Sequence, residues 1–373
     1  MIKTANVVGG GIGGVAAAAC LAKLGVAVSL FEKADELREI GAGIFLKTNS
    51  LRVFKWLGCL DELIESGTWI FAGELWDRHR RTLAKRVIPP EHVIVVPRAA
   101  LHATLVKVAL REGANLRTSA QVTGISQGGS LTINGSEEPK VDLLIGADGV
   151  GSIVRDSLKL CTFIGPTGNG SWRALVPARP EDPTDRVIEF WRGHRRVLVV
   201  PAGPGNTYIC ASCRDDDGPV TKTVFDADAW ADHFPEFASL ISRVDPLTTT
   251  RRQHVEVRVS SWSRQNIAIL GDAVHGQPPN LGQGAGCAIA NAASLARHLE
   301  SSCDLPAALH HWEADERTLT EEIQRFSTQY ESVVHSWPLM LEPARAVFVS
   351  ALASFKPTGR HWGRLSAGVH NMT

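Results

Sequence analysis

The residues of this chain best placed to do chemistry are three acids, each set next to glycine or at the end of an apolar run. Glu32 follows Val26 to Phe31, Asp148 follows Val141 to Ile145, and Asp272 follows Asn266 to Leu270. A carboxylate in such a position meets ligands, because open α/β sheets bind them in the crevice beyond the C-terminal ends of their strands. The glycines nearby fall into three signatures: Gly9-Gly10-Gly11-Ile12-Gly13-Gly14, Ala147-Asp148-Gly149 and Gly271-Asp272-Ala273.

In the first signature, Gly9, Gly11 and Gly14 give the spacing G-x-G-x-x-G behind the strand-like run Ala5 to Val8. The first glycine allows a tight turn, the second lets backbone approach a pyrophosphate, and the third lets a helix pack closely on the strand. Val15 to Leu24 reads as that helix, with its N-terminal amides and dipole toward the phosphates. Glu32 is then placed to accept a ribose hydroxyl. Gly13 and Lys33 belong with this set. After the third signature, Pro278 to Gly286 is a proline- and glycine-rich loop opening an apolar helix from about Cys287 to Leu299. Such a helix start offers unpaired amides to negative charge. A reduced flavin is anionic at one edge of its ring, so these amides would stabilise it. A tight glycine turn alone does not account for the acid and the helix start that flank it. In this order the signatures describe flavin adenine dinucleotide (FAD).

The elements that must position these residues suit a chain of 373 residues, long enough for two domains. We expect an α/β fold: a Rossmann-like FAD-binding domain interleaved with a mainly antiparallel β-sheet substrate domain, followed by C-terminal helices. The expected FAD-binding domain is discontinuous, over 1–67, 91–160 and 262–305. The substrate domain takes 68–90 and 161–261, where strand-like runs recur at Val187 to Trp191, Arg196 to Val200, Tyr208 to Ser212 and Gln253 to Val259. A C-terminal helical region fills 306–373, with one long charged helix from Pro306 to Tyr330. Gly41 to Leu46 reads as a turn into an extended segment, and Pro97 opens a helix that runs to about Glu112.

Composition narrows the partners. Lys plus Arg and Asp plus Glu are equal at 39 each, so no global field favours nucleic acid or an anionic membrane. Seven cysteines, an odd number scattered through apolar runs, fit a reducing compartment. Cys210 and Cys213 have redox-motif spacing, but in a strand they face opposite sides. The core begins at residue 4, leaving no room for a signal peptide, and Ala346 to Phe355 is too short to span a bilayer. A cytoplasmic enzyme is expected. No histidine or cysteine spacing suggests a metal.

The order of motifs resembles the single-component FAD-dependent aromatic hydroxylases, the group of p-hydroxybenzoate and salicylate hydroxylases, over nearly the whole chain to about residue 335. The resemblance implies that Gly9, Gly11, Gly14 and Glu32 hold adenosine and pyrophosphate. It implies that Arg38 and Arg98 hold the phosphates and ribityl chain, that Asp148 serves both flavin and nicotinamide, that Asp272 binds ribityl, and that Gly284 and Ala285 meet the flavin ring. Gly43, Ile44, Gly271, Pro279 and Gly282 complete the cofactor set. The single G-x-G-x-x-G leaves no separate nicotinamide domain, so NADH or NADPH would dock transiently. Reduced flavin would then take up O2, and the resulting flavin hydroperoxide would transfer oxygen to an electron-rich aromatic or N-heteroaromatic acid.

Leu37 to Ile44, Asn49, Leu51-Arg52-Val53 and Gly282 to Ala288 are more closely similar to the oxygenases of 3-hydroxypyridine carboxylates, which hydroxylate and then open the ring. That resemblance implies that Arg196 and Tyr208 bind substrate. Phe45 and Gly73 stand where tyrosines are expected, and Pro279 adjoins the ring. A benzenoid phenol or salicylate, or a flavin protein without oxygenase activity, is the alternative. From the residues themselves, Tyr208 is one of two tyrosines and the only one in the expected substrate sheet. It reads as a polar handle in an apolar pocket or as a half-buried strand tyrosine. Arg196 alternates with Leu198 and Val200, so it points into the pocket or belongs to a solvated run with Arg192 and Arg195. His275 is a loop hydrogen-bonder or an active-site base. A homodimer is the expected assembly, through the aromatic segment Trp337 to Thr373 if that segment does not cap the pocket.

Overall fold

The computed structural model describes residues 2–37, 41–126, 128–221 and 224–370. Short β-branched runs with no polar alternation build a buried sheet of six strands. Its order is Ser263–Arg264, Ile267–Ile269, Leu143–Gly146, Thr4–Val8, Ala27–Phe31 and Asn115–Arg117, all parallel except the first pair. The helix Ile12–Lys23 follows the first of these strands in sequence. Its run of alanines around Cys20 is buried on every side, between the helices Arg98–Arg111 and Gly284–Ser301. Only small side chains allow three helices to approach that closely.

A second sheet of seven strands runs Arg251–Val259, Cys161–Pro177, Asn206–Arg214, Arg195–Pro201, Arg186–Arg192, Ala72–Trp76 and Thr82–Val87. Period-two alternation divides it into two faces. Trp172, Val197, Val199, Ile209, Ala211 and Cys213 enter one core with Trp230 and Phe234. Registers Ser171↔Ser212, Arg173↔Cys210 and Leu198↔Cys210 put Ser171, Arg173, Arg196, Leu198, Tyr208 and Cys210 on the other face. Cys210 and Cys213 therefore lie in different cores, as their spacing in a strand requires. A small sheet of Gly43–Lys47, Val93–Pro97 and Thr68–Trp69 adjoins the cleft between the two large ones.

The fold class is the expected one, with differences in detail. The substrate sheet contains one parallel pair, Arg186–Arg192 with Ala72–Trp76, because its two edge strands come from an earlier part of the chain. Its longest strand starts at Cys161; Pro166 and Gly168 suggest a break there, but a register shift between Pro166 and Gly170 accommodates them. The long helix is Leu305–His335, extending past Tyr330. The helix expected from Cys287 begins at Gly284, so the glycines form its first turn. Residues 337–370 fold as the helices Glu342–Ser354 and Lys356–Ala367 after a short turn.

Candidate active site

A cleft of about 690 Å³ runs between the two large sheets. At its nucleotide end, Gly9, Gly11 and Gly13 line the wall with Glu32, Lys33, Arg98, Asp148, Gly271 and Asp272. Gly9 has φ +104°, a left-handed conformation that favours glycine. A Cβ on Gly14 would stand 1.9 Å from the Gly9 carbonyl oxygen, so this glycine serves helix–strand contact and does not line the cleft. The Glu32 carboxylate accepts from the Gly10 and Ala34 amides at 2.6 and 2.9 Å, which fixes its position. Asp148 accepts from Ser152 Oγ and from the Ile153 amide at 2.8 Å. Burial nonetheless pushes its carboxyl above the ordinary range. Asp272 is exposed at the end of its strand.

The middle of the cleft is built by Gly43, Ile44, Phe45, Pro279, Gly282, Gly284 and Ala285. No side chain caps the helix that begins at Gly284, so its first amides are free of side-chain partners. Gly282 is left-handed at φ +59°, and a Cβ there would meet the Phe45 ring at 3.2 Å. These features fit FAD: a glycine cradle and helix start for pyrophosphate, a fixed acid for ribose, an exposed one for ribityl, and a second helix start for the ring. Arg38 lies outside the described residues.

At the far end, the cleft is lined by Arg173, Arg196, Leu198, Tyr208, Cys210 and His254. Tyr208 packs against Gly43, where an added Cβ would come within 3.0 Å of its ring, and burial pushes its phenol pKa up. Arg196 is 2 % exposed, with Nε 2.7 Å from Glu189 Oε1 and Nη1 donating to Asn280 Oδ1 at 2.8 Å. Burial opposes its charge, but the Glu189 carboxylate more than reverses that. Tyr330 Oη and Trp191 Nε1 donate to the same carboxylate oxygen. Arg196 thus neither lies on a solvated face nor carries an uncompensated charge.

Besides Gly14, two expected site residues lie outside the cleft lining. Gly73 sits inside the strand Ala72–Trp76, away from the cleft lining, because that strand pairs at the far side of the sheet. His275 is buried against Trp262 at 6.3 Å between ring centroids and does not line the cleft; burial lowers its pKa. Arg173, Cys210 and His254 line the cleft but stand in ordinary strand surroundings in the sequence. Their alternation with buried neighbours is the one signal that marks their face.

The FAD binding domain family model matches residues 2–322, and the chain belongs to that family. It is an FAD-dependent monooxygenase of the p-hydroxybenzoate hydroxylase-like superfamily. It is 36 % identical over 331 residues to AqdB1 of Rhodococcus erythropolis, a protein named as a candidate 2-heptyl-3-hydroxy-4(1H)-quinolone synthase, covering 87 % of this chain and 86 % of that one. A 2-heptyl-3-hydroxy-4(1H)-quinolone synthase of Mycobacteroides abscessus is 30 % identical, with 87 % and 88 % covered. The tetrameric form of 2-methyl-3-hydroxypyridine-5-carboxylic acid oxygenase superimposes with a TM-score of 0.83 at 30 % identity, covering 95 % of this chain and 98 % of that one. Among the described residues, no helix is long and apolar enough to cross a membrane.

Proposed function

We propose that this chain uses NADH or NADPH and O2 to hydroxylate a 4(1H)-quinolone-type ring at the carbon next to its ring carbonyl. The observation that carries this reading is the charge balance of the cleft's far end. Arg196 is already paired with Glu189, which leaves Arg173 as the one lining cation there without a carboxylate partner among the described residues. One guanidinium suits a carbonyl oxygen on the ring that gains negative charge as the ring is attacked. A hydroxypyridine carboxylate brings a carboxylate in addition and needs a second free cation. The two quinolone synthase relatives favour the same class.

Bound FAD supplies the oxygen-transfer chemistry. The protein's part is to bind and orient. Phe45, Leu198 and Tyr208 form apolar walls that exclude water from the reacting carbon. Arg173 fixes the ring carbonyl oxygen, and the amides at Gly284 and Ala285 hold negative charge at the flavin edge. The test compares 2-heptyl-4(1H)-quinolone with 5-hydroxynicotinate, following flavin spectral shift and NAD(P)H oxidation by the holoenzyme. Faster oxidation with the quinolone and a product 16 mass units heavier is expected. Stimulation by 5-hydroxynicotinate alone overturns the quinolone reading in favour of the pyridine acids.

A further inference from the structure

The C-terminal helices leave an apolar face open to solvent. The helix Glu342–Ser354 turns Ala346 and Val349 inward, into a core with Leu83, Trp191 and Val334. Its other side carries Ala344, Val347, Phe348, Ala351 and Leu352, every one of them exposed and none of them polar. Val347 is 71 % exposed, far from what a packed surface would show. The stripe continues into the turn before the helix. There Trp337 stacks on Phe348 at 5.6 Å between ring centroids, and Met340 stands 88 % exposed between Leu339 and Leu341. Contiguous apolar surface of this kind marks an interaction site, unlike single exposed side chains.

Both ends of this face are cationic. Near the start of the helix, the hairpin turn Asp77 to Arg81 carries Arg78, His79, Arg80 and Arg81. Arg78 Nη1 lies 3.2 Å from Glu342 Oε2, which ties the turn to the helix. The one acid in the turn, Asp77, is buried and held by Arg81. After Phe355, the helix Lys356–Ala367 opens with Lys356 and Arg360, both exposed and without a carboxylate partner among the described residues. From residue 343 to the last, the sequence has four Lys or Arg and no Asp or Glu. The whole chain is neutral, so this positive field is local.

Two occupants of an apolar helix face can be weighed on these charges. In a second copy of the chain, two-fold pairing sets the same face against itself. With both ends cationic, every such pairing brings like charges together, which is costly. An anionic bilayer has the opposite sign. Apolar side chains enter its acyl boundary while Lys and Arg stay among the headgroups. A helix of 13 residues is too short to span the bilayer but long enough to lie in the interface.

We propose that this face is a docking surface for anionic phospholipid bilayers, with the helix Glu342–Ser354 lying in the plane of the interface. No residue of the face lines the cleft, so the proposal is independent of which ring is oxidised.

The test floats the holoenzyme with vesicles of pure phosphatidylcholine or of equal parts phosphatidylcholine and phosphatidylglycerol, and measures its mass by light scattering. We expect binding to the mixed vesicles alone. It should weaken strongly from about 0.1 M to about 1 M salt, as the Debye length falls from about 10 Å to about 3 Å. Each cation near the headgroups adds about fivefold, so Lys356→Gln combined with Arg360→Gln should weaken binding about 25-fold. Val347→Glu should weaken it about tenfold or more. Both variants should keep the FAD content and flavin spectrum of the wild type, since these side chains are exposed. A wild type that does not bind mixed vesicles overturns the proposal, as does equal binding to both kinds of vesicle. A dimer that Val347→Glu dissociates, in a protein that leaves vesicles unbound, assigns the face to a second copy instead. Vesicle binding that neither variant weakens puts the lipid contact elsewhere and overturns the proposal as well.

Discussion

Arg196 Nε and Glu189 Oε1 stand 2.7 Å apart on adjacent strands, with the guanidinium almost wholly enclosed. Trp191 and Tyr330 donate to the same oxygen, so the carboxylate is held from three sides. Arg196 lines the cleft, and the carboxylate behind it already balances its charge. Breaking a buried pair from one side costs about 3–5 kcal/mol, because it strands the other charge. Glu189→Gln and Arg196→Gln should each lower unfolding free energy by about that much in urea at saturating FAD. The double replacement by methionine should cost clearly less than the sum of the single changes.

Arg173 carries the opposite expectation. It lies half-buried in the cleft, with Ser171 as its one hydrogen-bond partner among the described residues. Arg173→Met should leave stability and FAD content near wild type and lower product formation about 100-fold, the scale of losing one donor to a developing oxyanion. Arg173→Lys should recover part of it. Steady-state NAD(P)H oxidation set against product yield checks this, since a loss of orientation also uncouples the two.

What was legible in the sequence divides along one physical line. The cofactor half could be read because each part of it is local: a glycine turn, the helix it opens and the acid on the next strand are all within about thirty residues. Tyr208 could be found because tyrosine is so scarce in this chain. Glu189, Arg173 and His254 could not, because they come from three strands, and each has ordinary neighbours in sequence. Without Glu189 in view, Arg196 read as a free cation. Without the register of Ala72–Trp76, Gly73 read as a pocket position. His275 follows a functional motif, yet the short helix after Gly271 turns it toward Trp262.

Gly14 tests the cradle. An added Cβ meets a backbone carbonyl at 1.9 Å, and neither the strand nor the buried helix can yield. Gly14→Ala should cost about 3 kcal/mol, at the upper end of overpacking effects, and abolish FAD retention. Apoprotein content and urea unfolding measure both.

Lys47 ties the flavin-side loop to the C-terminus. Its Nζ donates to the Leu281 carbonyl at 2.6 Å and to Ser366 Oγ at 2.9 Å, while Gln283 Nε2 donates to the Ser366 carbonyl at 2.7 Å. Burial lowers its pKa to about 7. An unfolded lysine titrates near 10.4, so the folded state disfavours the ammonium. The penalty is complete below pH 7 and fades as pH rises from 7 toward 10.4. Relative to Lys47→Met, the wild type should therefore gain several kcal/mol over that rise, on the order of 3 to 5. Paired urea unfolding at pH 7, 8, 9 and 10 gives the difference; a flat line contradicts it.

The most direct test of the whole account is incorporation of labelled oxygen. The holoenzyme would be turned over with 2-heptyl-4(1H)-quinolone, NAD(P)H and 18O2, and the product analysed by mass spectrometry and NMR. The account predicts one 18O atom, placed on the carbon adjacent to the ring carbonyl, with product matching the cofactor consumed. Cofactor oxidation that yields only peroxide, or label on the alkyl chain or the benzenoid ring, would contradict it.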